Sequence, residues 1–515
     1  GTRLFVEDGS IAVGRNVGDA TLTVSDGATV IADSLNAANR GSGAIVVEGN
    51  DTQVLLGDEN GVGDAGFMRI AEEGGTGSLI LRDGAQMSLF AGSNEFGAGM
   101  QLSGGSDRAG GTATAEITGQ GTRLFVEDGS IAVGRNVGDA TFTISDGADV
   151  ETLFFTSGQD GKGSTIVEGE GSSLTLSGSR STNEFGAFLN VGRNAEGSFI
   201  VRDGADVSII GDGGVFPGFI VGREEGGNGS ITVTGEGSTI TIDGANNVNS
   251  VRGETGFISI GFDNGGSGVV NVFDGGRIIN DPLGSLLIAE AVEGSTGILN
   301  IDGAGSAFNF GAQALISFDA VGDRGEAIVT VSNGGRLEGT EVTNNGILDV
   351  TSGGQLNANL IQDNLLRSSS GVEDLVINGN LTVNTAGFGF DYIIDNGTLV
   401  SHDKYIANGD IVLNGIMFVL AKDIDALDGL SANLLSGNNI TTSESFAVRL
   451  VELDANSLNS VNNADFLAVV ANESIELQFT TNNGTLTVDF SGIGANATQA
   501  RIVGTSTEDG SSAMF

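Results

Sequence analysis

The chain has 515 residues, 86 of them Gly, no Cys, and a formal charge of -44 at pH 7. Because 66 Asp and Glu face only 22 Lys and Arg, the charge excludes a nucleic-acid-binding protein, which needs clustered basic side chains. The absence of Cys excludes disulfides and thiol catalysis, whereas 39% hydrophobic residues are enough for a folded core.

The first predicted elements belong to a segment that occurs twice. Residues 1–30 and 121–150 share all but three positions, which are Leu22/Phe142, Val24/Ile144 and Thr29/Asp149. Apolar and polar residues alternate with a period of two, which predicts short β-strands with one apolar face. The chain is therefore expected to be built by repetition, which takes precedence over the usual division into globular domains.

The apolar positions of this alternation are expected to fill the interior. They comprise Leu22 and Val24, Phe142 and Ile144, and Ile231 and Val233, with Phe5, Phe125 and Phe199 as further core residues.

Two kinds of turn follow the predicted strands. In the first, an Asp-Gly pair makes a corner, because Gly adopts positive φ and Asp bonds to its own turn. These structural corners are Asp26 and Gly27, Asp83 and Gly84, Asp146 and Gly147, Asp203 and Gly204, and Asp274 and Gly275. The second turn is Gly-x-Gly-Ser/Thr, at residues 119–122, 169–172, 235–238 and 303–306.

The Asp-Gly corners recur at unequal intervals of 57, 63, 57 and 71 residues, while the strands keep their length. Insertions are therefore predicted to bulge outward as surface loops, at residues 58–66, 92–111, 178–187 and 211–218. Short strands separated by recurrent corners can pair their backbone groups if the chain coils, because each turn then pairs in parallel with the next. The predicted fold class is all-β, a parallel β-solenoid.

After about residue 371 the pattern weakens, and only 14 of the 86 Gly remain in the last 145 residues. Strands are still predicted at residues 375–383, 409–415, 417–420, 445–453, 466–471, 475–480 and 485–490, and a short helix at residues 422–435. An open solenoid end leaves backbone groups unpaired, so a terminal cap is expected. The predicted domains are a solenoid at 1–370 and a less regular β-rich capping or assembly region at 371–515.

The segments Val133-Gly-Arg-Asn, Phe142-Thr-Ile-Ser-Asp-Gly-Ala and Ile231-Thr-Val-Thr-Gly-Glu-Gly-Ser resemble repeats in passenger regions of bacterial autotransporters, the type V secretion proteins. The resemblance covers roughly residues 1–360. It implies a right-handed parallel β-helix that is displayed on, or released from, a Gram-negative cell for adhesion, aggregation or surface structure. An extracellular or cell-surface location is therefore expected. The chain begins within a repeat unit and without Met, which predicts a processed or partial product.

Few residues of the sequence are candidates for catalysis or metal binding. His402 is the only His, so a Ser-His-Asp triad or a His metal cluster is excluded, and it is interpreted as a solvated loop residue. The pairs Arg82-Asp83 and Arg202-Asp203 could line a catalytic groove. Their recurrence at equivalent repeat positions favours a structural role, because a catalytic site breaks a repeat instead of being copied with it. No catalytic residue is assigned.

Asp58, Asn60 and Asp64 form the candidate metal site, an oxygen-rich loop for weak calcium binding. The loop lacks the spacing and the terminal Glu of an EF-hand. No cofactor is required by the predicted fold.

Together these features predict a non-enzymatic extracellular protein. It would act as a surface stalk or adhesin, or as a self-assembling matrix or filament subunit with end-to-end contacts. Expected partners are copies of itself and host or bacterial surface glycans, with no membrane-spanning segment in this chain. The alternative is a polysaccharide-binding or polysaccharide-cleaving β-helix enzyme, which would need acidic and basic side chains in one groove where the repeat is broken.

Overall fold

The computed structural model describes residues 2–6, 9–16, 18–60, 63–93, 97–104, 110–178, 185–211, 216–244, 255–262, 265–289, 294–316, 325–351, 353–363, 365–367, 372–453, 474–493 and 501–502. The chain forms two compact units. The first comprises Gly1–Leu286, Val292–Ile298 and Ala307–Gly311, and the second comprises Leu287–Ala291, Leu299–Ser306 and Ala312–Phe515. The predicted division between residues 370 and 371 stays a prediction.

The first unit is a parallel β-solenoid in which each turn gives one strand to each of three stacks. The first stack contains Asp19–Val24, Ser42–Glu48, Thr76–Arg82, Thr112–Thr118, Asp139–Ser145, Lys162–Glu168, Glu196–Arg202, Asn228–Thr234 and Ser267–Phe273. The second contains Arg3–Phe5, Thr29–Ala32, Gln53–Leu56, Gln86–Leu89, Arg123–Val126, Asp149–Thr152, Ser173–Leu176, Asp206–Ile210, Thr239–Asp243, Arg277–Ile279 and Ala307–Asn309. The third contains Ser10–Val13, Ser34–Asn39, Phe67–Glu72, Gly99–Leu102, Ser130–Val133, Phe154–Ser157, Phe185–Val191, Phe216–Val221 and Phe257–Ile260.

Neighbouring strands pair in parallel throughout these stacks. The strands Ser285–Ile288 and Thr296–Asp302 contribute residues to both units. The structure thus confirms the predicted all-β solenoid.

The interior follows the predicted alternation at most positions. Phe142, Ile144 and Phe199 are fully buried, as are Ile231 and Val233. Within this core the rings of Phe142 and Phe155 meet edge to face with centroids 5.5 Å apart, an arrangement that aromatic pairs favour.

Three core predictions require correction. Phe5 is 57% exposed and Phe125 is half-buried on the outer face, because Leu124 and Val126 take the inward positions of the second copy. Leu22 is only half-buried. Among the described residues its strand has a neighbour on one side only, the strand Ser42–Glu48.

One predicted loop contains a strand. Gly99–Leu102 lies within residues 92–111 and pairs in parallel with Phe67–Glu72 on one side and Ser130–Val133 on the other. The predicted bulge at 178–187 likewise runs into the strand Phe185–Val191. Residues 99–102 and 185–187 of these segments belong to the third stack, so the true insertions are shorter than predicted.

The second unit contains both parallel and antiparallel strand pairs. Its remaining strands are Gln313–Ile316, Glu326–Ser332, Arg336–Asn344, Ile347–Val350, Gln355–Gln362, Leu365–Arg367, Asp374–Ile377, Leu381–Gly389, Tyr392–Asp395, Thr398–His402, Lys404–Ala407, Ile411–Ala421, Ser431–Ser436, Ile440–Thr442, Ala447–Leu453, Ile475–Asn482, Thr485–Asp489 and Arg501–Ile502. Ile475–Asn482 and Thr485–Asp489 form a hairpin that pairs antiparallel with Ala447–Leu453 and Ser431–Ser436. The strand predicted at residues 466–471 lies outside the described residues.

The helix predicted at residues 422–435 is wrong in extent. A 3-10 helix covers only Ile424–Leu427, and the strand Ser431–Ser436 follows. Gly429 has φ +79, a left-handed conformation that ends helical structure. In the part of the chain that the structure describes, no helix has the length and apolar character needed to cross a membrane.

Candidate functional site

The Asp-Gly corners share one backbone conformation in which both residues have positive φ. The φ values are 57° and 71° at Asp26 and Gly27, 57° and 82° at Asp83 and Gly84, 55° and 83° at Asp146 and Gly147, 58° and 81° at Asp203 and Gly204, and 51° and 89° at Asp274 and Gly275. Positive φ at both central residues is the signature of a type I′ turn, which Asp-Gly and Asn-Gly favour.

Each of four corners is bonded to the next coil by a hydroxyl group. The Gly amides donate to Ser or Thr side chains, in the pairs Gly27 to Thr52 at 3.1 Å, Gly84 to Thr122 at 3.0 Å, Gly147 to Ser172 at 2.9 Å and Gly204 to Ser238 at 3.0 Å. All four hydroxyl residues are buried. The Thr122 hydroxyl in turn donates to the Thr118 carbonyl at 2.8 Å, so this buried polar group has both its donor and its acceptor satisfied.

The two corner types therefore alternate from coil to coil along the first unit. Sequence reasoning found both motifs but missed that one binds the other. Thr52 was missed entirely because its turn reads Gly-Asn-Asp-Thr, without the second Gly. Thr52 lies at the equivalent position two coils before Thr122, a relation that only the pairing of the strands shows.

The arginines that precede the corners pair with the preceding coil. The Arg82 guanidinium contacts Glu48 at 2.6 Å, and Arg202 pairs with Glu168 in the same way. Hydrogen bonding to Glu48 raises the pKa of Arg82 above its usual value. Asp83 and Asp203 are the more distant partners, at 3.5 and 3.7 Å. This geometry is that of a repeated surface ion pair between coils.

Asp58, Asn60 and Asp64 lie together in a loop that projects beside the second stack. The Asp58 carboxylate accepts hydrogen bonds from the backbone and side-chain nitrogens of Asn60, at 2.9 and 3.1 Å. The Asp58 amide donates to the Asp64 carbonyl at 3.1 Å. No group of three His, Cys, Asp or Glu side chains with metal-binding geometry occurs among the described residues. Calcium binding stays a prediction.

The same loop also lines an open pocket of about 290 Å³. We call the apolar lining, from the second stack and Phe90, the floor of the pocket, and the charged lining its rim. The lining includes Arg3, Phe5, Ile31, Asp33, Leu55, Asp58, Glu59, Asp64 and Phe90. This convergence was missed because Phe5 was predicted to be in the core.

The interpretation of His402 as a solvated loop residue is wrong, because His402 is half-buried at the end of the strand Thr398–His402 in the second unit. Its Nδ1 is 2.8 Å from the Asp403 carbonyl oxygen, and its ring packs against Phe390 with centroids 5.6 Å apart. The buried Asp403 carboxylate accepts hydrogen bonds from the amides of Glu373 and Asp391, both at 2.8 Å. The side chains around His402 are thus engaged in packing and backbone bonding.

Comparison with known proteins adds no assignment: no protein-family model matches the chain, and no curated protein matches its sequence.

Proposed function

We propose that the chain is a structural, non-enzymatic extracellular solenoid. It acts as a surface stalk or adhesin, or as a matrix or filament subunit that assembles through end-to-end contacts. The observation that supports a structural role is the bonding between stacked coils, which recurs from corner to corner. The Gly amides donate to hydroxyl groups of the next coil in the pairs Gly27 to Thr52, Gly84 to Thr122, Gly147 to Ser172 and Gly204 to Ser238.

Within the solenoid each coil pairs in parallel with the coil before it, as Leu124 does with Met87. An unpaired β-edge at either end of such a stack is a template for pairing with another chain, and open-ended contacts of this kind extend into fibres.

The test is the assembly state of the full chain. We expect electron micrographs and sedimentation of the wild-type chain to show end-to-end species. A wild-type chain that stays monomeric at every concentration would contradict assembly.

Ionic strength provides a second measurement of the same contact. Because the chain carries a charge of -44, like charges oppose association at low salt. Screening shortens from about 30 Å at 0.01 M salt to about 8 Å at 0.15 M, so end-to-end species should increase over this range. Association that falls as salt rises would indicate a contact made by opposite charges instead of β-edge pairing.

Polysaccharide binding or cleavage is the second candidate function. The pocket beside residues 57–65 favours it, because this pocket brings a basic and several acidic side chains together where an insertion interrupts the repeat. Incubation with neutral and anionic polysaccharides, followed by a reducing-end assay, tests cleavage. A release of new ends would replace the structural proposal with an enzymatic one.

A further inference from the structure

We propose that the pocket beside the acidic loop binds one pyranose ring of a non-acidic glycan. The acidic loop is defined as residues 57–60 and 63–65. This inference deepens the proposed adhesive function by assigning a ligand class and a site to it, and it rests on that function.

The floor is apolar and includes an outward-facing aromatic ring. Phe5 is 57% exposed, and Ile31 and Leu55 continue the same outer column on the next two coils, because they oppose one another in register. Phe90 closes the floor from the following coil. Aromatic and aliphatic surface of this kind suits the C–H face of a sugar ring.

The outward direction of Phe5 is a property of its strand. Phe125 has the same neighbours in sequence and also faces outward, although coils lie on both sides of it. Arg3 and Arg123 lie beside these rings, with the guanidinium carbon 5.9 Å from the centroid of Phe5 and 5.4 Å from that of Phe125. The two Arg-x-Phe pairs therefore differ in what surrounds them, since only the first lines the pocket with the acidic loop.

The rim supplies both kinds of hydrogen-bonding group. Arg3 carries only donors, whereas Asp33 and the loop carboxylates of Asp58, Glu59 and Asp64 carry acceptors. A sugar hydroxyl is both a donor and an acceptor, so a ring with several hydroxyl groups can use both parts of the rim. The loop is held over the pocket by Ser93, whose amide and hydroxyl donate to the Gly63 carbonyl at 2.9 and 3.1 Å.

Charge and size narrow the ligand class. One guanidinium faces four carboxylates, so the pocket repels uronic and sialic acids and accepts neutral or amino sugars. Its volume of about 290 Å³ lies at the lower end of ligand pockets, roughly 300–1,000 Å³, which suits a single ring of a longer chain.

A second groove is less suited to this ligand. It measures about 390 Å³ and runs along the outer face of the first stack, between the strands Asp19–Val24 and Thr112–Thr118. Its lining consists of Asp19 and small Ser, Thr, Ala and Gly residues, without an aromatic ring. Hydroxyl groups alone give no apolar surface on which a sugar ring can pack.

The test uses the full chain and three probes, which are oligomers of glucose, glucosamine and galacturonic acid. Ligand-observed saturation-transfer NMR and calorimetry report binding without any requirement for cleavage or assembly. We expect glucose and glucosamine oligomers to bind and the galacturonate oligomer to fail. Equal binding of the galacturonate oligomer, or no binding of any probe, would overturn the proposal.

Substitutions of pocket residues test whether the sugar binds in this pocket. Phe5→Ala should weaken binding about tenfold, as expected for the loss of a stacked ring, and the matched control Phe125→Ala should bind like the wild-type chain. Glu59→Gln changes an exposed loop residue and should cause a smaller loss, which keeps the proposal testable if Phe5→Ala misfolds. Unchanged binding in both pocket variants contradicts the site. Sugar binding without end-to-end species would remove only the assembly proposal, and the reverse result only the pocket.

Discussion

The amide of Gly84 donates a hydrogen bond to the hydroxyl of Thr122, 38 residues further along the chain, over a distance of 3.0 Å. This bond joins an Asp-Gly corner to the Gly-x-Gly-Thr corner of the next coil. Thr122 is buried, and its hydroxyl also donates to the Thr118 carbonyl. The Gly84 amide and the Thr118 carbonyl therefore both have the Thr122 hydroxyl as a hydrogen-bond partner.

Substitution of Thr122 by Val should destabilise the two coils that it joins. The side chain keeps its shape but leaves the Gly84 amide without its acceptor, which costs about 1–3 kcal/mol for a buried group. Because long repeat arrays do not unfold as one unit, local hydrogen exchange at residues 80–90 is the appropriate measurement. Thr122→Ser is the matched control and should exchange like the wild-type chain, since Ser172 and Ser238 fill this role in other coils.

Substitution of Gly204 by Ala should show the free-energy cost of positive φ without an added steric clash. Gly204 has φ +81, and the nearest atom to an added Cβ would be the Glu170 Cα at 3.7 Å, an ordinary contact. The expected loss is therefore only the strain of the left-handed conformation, about 1–2 kcal/mol, and Gly204→Asn should lose less.

Gly163 provides the contrast, because an added Cβ there would meet neighbouring backbone atoms. An added Cβ at Gly163 would lie 2.2 Å from the backbone nitrogen of Gly158, so Gly163→Ala should destabilise more than Gly204→Ala. Local hydrogen exchange around the substituted residue in each of the three variants tests this order. An equal loss for Gly204→Ala and Gly163→Ala would show that small shifts of the neighbouring backbone relieve the close approach at Gly163.

The two tyrosines should ionise at different pH values. Burial raises the pKa of Tyr392 to about 12 and that of Tyr405 well above its ordinary value of 10. The Tyr405 hydroxyl donates to the Gly389 carbonyl at 2.6 Å. Because the folded pKa is the higher one, the contribution of Tyr405 to stability is complete below about pH 10. It is lost as the pH rises from there through the folded pKa.

Alkaline titration checks this prediction. The ultraviolet absorbance of tyrosinate should first rise near pH 12 in the wild-type chain. In Tyr392→Phe, tyrosinate should form only as the circular dichroism of the β-structure is lost. Ionisation near pH 10 in that variant, with the circular dichroism intact, would mean that Tyr405 is accessible to water.

Local patterns predicted the strands and the corners of this fold, because alternation and Asp-Gly turns depend on neighbouring residues. The prediction that Phe5 lies in the core was wrong because the alternation was taken one residue out of phase at this strand. Arg3 and Phe5 are two residues apart and must share a face, so the charge of Arg3 already indicates that Phe5 points outward.

The bonds between coils could not be predicted in the same way. Thr52 and Ser172 each bind a Gly 25 residues earlier, whereas Thr122 binds one 38 residues earlier. Variable insertions change this separation, so no fixed spacing in the sequence marks the pair. The pocket was hidden for a related reason, since the coiling of the chain brings Arg3 beside Asp64.

The alternation of corners also sets a rule for changes in length. At four Asp-Gly corners the Gly amide donates to a hydroxyl group on the following coil, so removal of a single coil would leave one of the two groups without its partner. Removal of an even number preserves every pair. The near-identical segments at 1–30 and 121–150 are four coils apart in the first stack, so recombination between them would shorten the chain without a mismatch. Natural or engineered variants of this solenoid are thus expected to grow and shrink by pairs of coils.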